Sequence, residues 1–428
     1  MALRLFEGFG VELEYMIVDA RTLAVRPCCD ALIAAAAGAG EGEHPGDFDV
    51  PGTGITWSNE LVLHVVEFKT TEPVPSLAGL APRFADSVAR VNALLAPQEA
   101  RIMPGAMHPT MDPFREMRLW PHEASEYYRA FDRIFDCRGH GWANLQSVHL
   151  NLPFDGDDEF GRLHAAVRLI LPILPAIAAS SPIMDARITG TLDNRLSVYR
   201  TNARKLPIVS GRIIPEPVYT RADYEREVLD AIYRDLAPHD PDGTLRHEWV
   251  NARGAIARFT RGSIEVRVLD VQECPAADVA VCAAIVAVLR ALVAEKWTSA
   301  GEQMQWPMEP LERILLDCIE RADAAVIQDS DYLEAFGLRG VASCTAGELW
   351  RHLMESCIAA GDGIGEHEPS LRTILDQGPL ARRILRAMGA EDAPGPASPE
   401  RTAEVYRALC GCLAAGTPCG GRMLLAPR

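Results

Sequence analysis

The sequence predicts an α+β protein, and three observations carry that prediction. Segments in which apolar and polar residues alternate recur at 9–18, 60–70, 144–152 and 263–271, as half-buried strands require. Long apolar stretches at 163–180 and 277–294 read instead as buried helices. After Glu302 strand patterns nearly vanish. A mixed body over residues 1–300 is therefore expected to precede a helical C-terminal part over residues 301–428.

Residues 9–18 form the first strand, and Asp19-Ala-Arg-Thr22 ends it as a turn. An alanine-rich helix at 30–38 closes on glycine, 41–54 is a loop rich in Gly, Pro and acid, and 60–70 is the second strand. Ser76 is placed to cap a helix over 77–95, where apolar residues recur at helical spacing. A short strand at 100–105 leads into a loop at 106–113, followed by a helix at 123–135 and the strand 144–152. The stretch 163–180 is interrupted by Arg168, Pro172 and Pro175, and 277–294 carries Arg290. Both fall short of the roughly 20 apolar residues of a membrane span. Between them, 181–217 reads as loop and 223–236 as helix. Helices are expected at 311–327, 346–359, 370–388 and 398–415, with 395–399 as a linker.

Net charge is −17, which argues against general affinity for nucleic acid or an anionic membrane. An anionic small-molecule substrate would then need local arginines or metal ions. Residues 1–10 hold Arg4 and Glu7 and no long apolar core, so no secretory signal is expected there. The eleven cysteines contain no C-x-x-C pair and read as reduced thiols of a cytoplasmic protein.

Candidate chemistry lies on the strands. Glu12 and Glu14, two residues apart in Gly10-Val-Glu-Leu-Glu-Tyr15, share a strand face. Two such carboxylates are costly to bury unless a cation lies between them, and oxygen donors suit magnesium or manganese. An exposed edge-strand face is the alternative reading. Glu67 sits inside the apolar run Val65-Val-Glu-Phe-Lys-Thr70, with Lys69 as its same-face partner. Glu60 has the opposite parity and can join Glu67 only across a bulge or bend, so the weight falls on Glu67. His149 shares a face with Ser147 and Asn151; it is a ligand where carboxylates converge on it and a core histidine otherwise. In Arg258-Phe-Thr-Arg-Gly-Ser-Ile-Glu-Val-Arg-Val-Leu-Asp270, Glu265 and Arg267 share a face, and arginine matches phosphoryl oxygens bidentately. Thr189-Gly-Thr-Leu-Asp-Asn-Arg195 reads as a polar surface loop. No Walker A or dinucleotide-binding glycine fingerprint is present.

In this order, these pieces resemble the bacterial carboxylate–amine ligase family that includes the second class of glutamate–cysteine ligases. The resemblance runs from about residue 9 to 292. It rests on Gly10-Val-Glu-Leu-Glu14, the Glu67 strand with Thr70 and Pro73, Gly105-Ala-Met-His-Pro109, His149, Ser181-Pro182 with Thr189-Gly190 and Arg195, and Ser263-Ile-Glu-Val-Arg267 with Asp270. It implies a glutamine-synthetase-like fold, in which a curved antiparallel sheet forms a funnel flanked by helices. It further implies that Glu12, Glu14, Glu67, His149 and Glu265 hold magnesium, with manganese as an alternative. Arg195, Arg258 and Arg267 would contact phosphate or the substrate carboxylate, with Glu67 also near the nucleotide. The family often carries His-x-His on the central strand; here the first position is Ser147.

The activity so implied is ATP-dependent joining of a carboxylate to an amine through an acyl phosphate, with glutamate and cysteine as the first substrates to consider. Three alternatives remain: another acid or amine, a metal-dependent amide hydrolase, and a catalytically silent binding relative. Self-association is left open.

Overall fold

The computed structural model describes residues 3–361, 364–390 and 394–419. In chain order its strands up to residue 270 are β1 (Gly10–Asp19), β2 (Asp47–Val50), β3 (Ile55–Asn59), β4 (Val65–Thr70), β5 (Ala100–Met103), β6 (Ser147–Pro153), β7 (Ile183–Met184), β8 (Arg187–Ile188), β9 (Ala255–Arg258) and β10 (Ser263–Asp270). Eight of these make one open, antiparallel sheet in the order β2-β3-β4-β1-β6-β10-β9, with β5 paired to the second half of β1. The short β7 and β8 form a separate sheet with Gly395–Pro396.

Alternation assigns the two faces of the large sheet. Val11, Leu13, Tyr15 and Ile17 of β1, Trp57 of β3, Phe68 of β4, Leu150 of β6 and Ile264 of β10 enter one apolar core. The helices Leu80–Leu95, Gly156–Ile170 and Pro275–Val293 pack into the same core. Pro275–Val293 is long and apolar enough to cross a membrane by length and composition, yet 83% of its most apolar window is buried within the protein. Helices after residue 300 share this core: Trp350 Nε1 donates to the Ile173 carbonyl at 2.8 Å and the Tyr332 hydroxyl to Leu169 at 2.7 Å. Leu380–Met388 and Pro399–Ala415 pack with Met16, Val18 and Met103 in a second cluster.

The structure departs from the sequence expectations at turns and breakers. Residues 60–70 are not one strand: the chain bends at 60–64, where His64 is buried with its Nε2 2.7 Å from the Ala143 carbonyl oxygen, and β4 starts at Val65. The loop expected at 41–54 contains β2, and the one expected at 181–217 contains the helix Asn194–Asn202. Ser76 accepts from the Ala78 N–H, but the helix after it begins beyond Gly79. Pro172 and Pro175 break 163–180 into a helix end, a 3-10 turn and a short helix. Gly378, at φ 81°, and Pro379 split 370–388 into two helices. Cys412 and Cys419 are joined as a disulfide, which departs from the expectation of reduced thiols throughout.

Candidate active site

The register of the sheet brings the acids together. On β1, Glu14 lies directly opposite Glu67 of β4, and Glu12 lies opposite Lys69 on one side and His149 of β6 on the other. Ser58 of β3 faces Glu67, and Asn151 of β6 faces Glu265 of β10. Like charges directly opposite on a sheet destabilise it, so the Glu14–Glu67 pair calls for a cation. Apart from Ser58, these residues line a cavity of about 1200 Å³ whose wall also includes Arg195, Tyr199, Arg258, Arg261 and Arg267.

At the acidic end Glu12 accepts from Asn151 Nδ2 at 2.9 Å, and its other oxygen lies 2.9 Å from His149 Nδ1. Ser147 Oγ is 3.0 Å from His149 Nε2, and the Ser147 N–H donates to Glu14 at 2.7 Å. Glu67 accepts from the Ser58 hydroxyl at 2.6 Å and Lys69 Nζ at 3.0 Å. Two triads, Glu12–Glu67–His149 and Glu14–Glu60–Glu67, each bring their ligand atoms within 4.8 Å of one another. Glu60 joins from the bend after β3, the geometry its strand parity demanded.

Burial would raise the Glu12 carboxyl, but the hydrogen bond and charge of His149 hold it below its ordinary value. Burial would likewise lower His149, but Glu12, helped by Glu14 and Glu265, raises it to about 9. Glu60 is pushed well above the carboxylate range by burial, then by Glu67 and Glu14. Glu67 is also raised, by burial above all, with Lys69 opposing and Glu12 adding to the shift.

The basic end is built by β9, β10 and the helix Asn194–Asn202. The turn between β9 and β10 closes at Gly262 with φ 63°, a conformation that suits glycine. It places Arg258 Nη1 2.9 Å from Glu265, while Arg267 Nε is 2.8 Å from the same carboxylate. A register shift between Val266 and Leu269 marks a bulge beside Arg267, a common device for re-aiming a side chain. Asp193 caps the helix by accepting from the Leu196 N–H at 2.8 Å, which sets Arg195 in its first turn. Arg195 Nη2 donates to the Arg267 carbonyl at 2.9 Å, and its Nη1 is 3.6 Å from Asp270. Asp270 is held in turn by the Ser180 N–H and the Ser181 hydroxyl, each at 2.8 Å.

All eight residues singled out in the sequence line this cavity. Glu12, Glu67 and His149 form one ligand triad and Glu14 belongs to the other, whereas Glu265 is engaged by Arg258 and Arg267. Sequence reasoning underweighted Glu60 and gave Asp270 no role of its own. It also missed Tyr199, whose buried hydroxyl has no hydrogen-bond partner among the described residues, and the aromatic wall of Tyr127, Phe131, Trp142 and Trp249. The i, i+4 spacing of Arg195 and Tyr199 was the available signal for the former. Nothing local marks the aromatic residues, which converge from separate segments.

The fold has counterparts among solved structures. Glutamate–cysteine ligase from Francisella tularensis, determined with AMP, superposes with a TM-score of 0.58 at 14% identity, covering 96% of this chain and 90% of that one. A bifunctional glutathione synthetase from Pasteurella multocida gives 0.55 at 13% identity over 96% of this chain, which spans only 52% of that longer protein. The molecule thus shares its fold with these two ligases, and carboxylates and arginines line one cavity on its sheet. Residues 8–408 match glutamate–cysteine ligase family 2, and the chain belongs to that family. An uncharacterized protein of Archaeoglobus fulgidus is 33% identical over 294 residues, 67% of this chain and 78% of its own. A Rubrobacter xylanophilus protein, provisionally named glutamate–cysteine ligase 2-3, is 29% identical over 44% of this chain and 47% of its own.

Proposed function

We propose that the protein is an ATP- and magnesium-dependent carboxylate–amine ligase that activates the γ-carboxylate of glutamate as an acyl phosphate and joins it to an amine, cysteine first among the candidates. The observation that carries this reading is the make-up of the cavity wall. Four carboxylates, Glu12, Glu14, Glu60 and Glu67, line it beside Lys69 and His149, and an arginine group lines the same space, with Arg267 close enough to feel the charges of Glu12 and Glu14.

Glu12, Glu14, Glu60, Glu67 and His149 would hold the divalent ions, and this donor set, four carboxylates and one imidazole, fits a hard cation. Bound there, magnesium supplies neutralisation of phosphate charge. The chain's own residues do the positioning. Glu265 fixes the planes of Arg258 and Arg267, whose remaining N–H groups suit phosphoryl oxygens. Asp270 and the Arg267 carbonyl orient Arg195 toward a substrate carboxylate or phosphate. The Tyr199 hydroxyl offers a further donor. A substrate carboxylate oxygen attacks the γ-phosphorus and ADP leaves; the amine nitrogen then attacks the acyl carbon and phosphate leaves. No protein nucleophile is needed, and catalysis lies in positioning and charge stabilisation.

The test is phosphate release with ATP, magnesium, glutamate and cysteine, each omitted in turn. Release that requires all four supports the full reading. Release that requires nucleotide and glutamate but not cysteine keeps the chemistry and sends the search to a panel of amines. Product formed equally well without nucleotide would overturn the ligase in favour of a hydrolase.

A further inference from the structure

A second cluster of metal-ligating side chains lies apart from the acid wall, and none of its members lines the cavity. Asp30 in the first turn of the helix Cys29–Ala37, His44 in the following loop and His122 before the helix Ser125–Phe135 bring one ligand atom each within 4.8 Å of one another. His122 Nε2 is 3.0 Å from Asp30 Oδ2. The rings of His44 and His122 stack with centroids 3.9 Å apart, and Trp120 packs edge-on to His122 at 5.0 Å. His44 Nδ1 is buried and has no hydrogen-bond partner among the described residues.

We infer that Asp30, His44 and His122 form a structural site for a borderline divalent transition metal, zinc foremost, distinct from the oxygen-rich magnesium site. Two imidazole nitrogens and one carboxylate oxygen are a zinc donor set, with water completing the coordination. Tetrahedral bonds of about 2.1 Å set ligand atoms about 3.4 Å apart, so binding draws the three side chains inward. The ion would satisfy His44 and tie together three segments that are otherwise joined by loops. Its effect would reach the cavity through the loop that holds His44. There the Gly46 carbonyl accepts from the Asn59 N–H at 2.9 Å, and Asn59 Nδ2 donates to the Tyr128 hydroxyl at 3.0 Å. Asn59 and Tyr128 both line the catalytic cavity.

The experiment is titration of the full chain with Zn2+ against a chromophoric chelator, in excess Mg2+, with Co2+ as a spectroscopic substitute. Melting is followed with and without Zn2+. Wild type and Glu67→Gln are expected to bind one Zn2+ with equal affinity, to give the visible spectrum of tetrahedral Co2+, and to melt higher with zinc. His44→Gln and His122→Gln are expected to weaken zinc binding more than tenfold and to lose the zinc-dependent rise in melting temperature. Either variant alone suffices should the other fail to fold. Absence of tight Zn2+ binding, wild-type affinity in a folded histidine variant, or loss of binding in Glu67→Gln alone would overturn the proposal. None of these outcomes depends on the ligase activity.

Discussion

Arg195, Arg258 and Arg267 sit among groups that match them, whereas the four acids at the other end of the same cavity outnumber the cations beside them. At the basic end Glu265 is shared by two arginines, and Asp270 backs the third. At the acidic end Glu14 lies opposite Glu67, Glu60 leans in from a bend, and Lys69 and His149, with Arg267 acting on Glu12 and Glu14 from the other end, offset four carboxylates. A finished ion-pair network supplies rigid donors, since its geometry is set before a ligand arrives. An unfinished one stores repulsion that a bound cation relieves. The difference teaches that divalent ions should act on one end of this cavity and leave the other nearly unchanged.

The hardest blow to the comparison is Glu67→Gln, because Glu67 belongs to both ligand triads. Phosphate release should fall by about 10²–10³-fold, with the magnesium concentration for half-activity rising. Steady-state rates across a magnesium titration measure this, and a loss below tenfold would remove the acid wall from the chemistry. At the other end, Asp270→Asn should lower kcat by about 10- to 100-fold through misplacement of Arg195, with the magnesium requirement unchanged. A shifted magnesium requirement in that variant would mean the two ends are not separate.

The alkaline limb of stability tests the link between the ends of β1 and β6. His149 is raised from an ordinary 6.5 to about 9. Its contribution to stability is therefore full below 6.5 and lost as pH rises through about 9. Glu12 is shifted the other way, so its contribution is present above its ordinary 4.5 and lost as pH falls through its lowered value. In metal-free protein, the unfolding free energy from urea titrations should decline between about pH 6.5 and 9 by an amount of order 1–3 kcal/mol. His149→Gln should remove that decline. Magnesium should flatten it in wild type, since the ion takes over from the imidazolium proton.

Much of this arrangement was legible because strand parity is a strict rule. Glu12 with Glu14, Ser147 with His149 and Asn151, and Glu265 with Arg267 each had to share a face, and they do. What parity cannot supply is pairing between strands: nothing in the sequence alone sets Glu14 against Glu67 or Glu12 against His149, because register follows from the whole sheet. The bend at 60–64 stayed hidden for a related reason, since Leu61, Val62 and Leu63 continue an apolar pattern that suits a strand. The helix carrying Arg195 was concealed by its polar sequence, whose start is visible only as Asp193 in the capping position. Asp270 was read as the end of a strand, while its role depends on Ser180, Ser181 and Arg195 arriving from elsewhere.

The smallest and most diagnostic effect is expected from Glu60→Gln. Burial and the charges of Glu67 and Glu14 raise the Glu60 carboxyl well above 4.5 in the folded protein. Its contribution to stability is therefore full below 4.5 and lost as pH rises through the raised value. At neutral pH the folded protein works against the ordinary ionisation of this carboxyl, which weakens the metal-free fold. Replacing the carboxyl by an amide should raise the melting temperature in EDTA by about 1–2 °C, the scale that about 1–2 kcal/mol produces in a protein of this size. With saturating magnesium the order should reverse, because wild type gains a full set of ligands and the variant does not. Glu265→Gln should behave differently, melting lower than wild type with or without magnesium, since Arg258 and Arg267 lose their shared partner. Calorimetry of the three proteins in both conditions decides the matter. If Glu60→Gln lowers the melting temperature in EDTA, the acidic end is already balanced, and its need for a cation disappears.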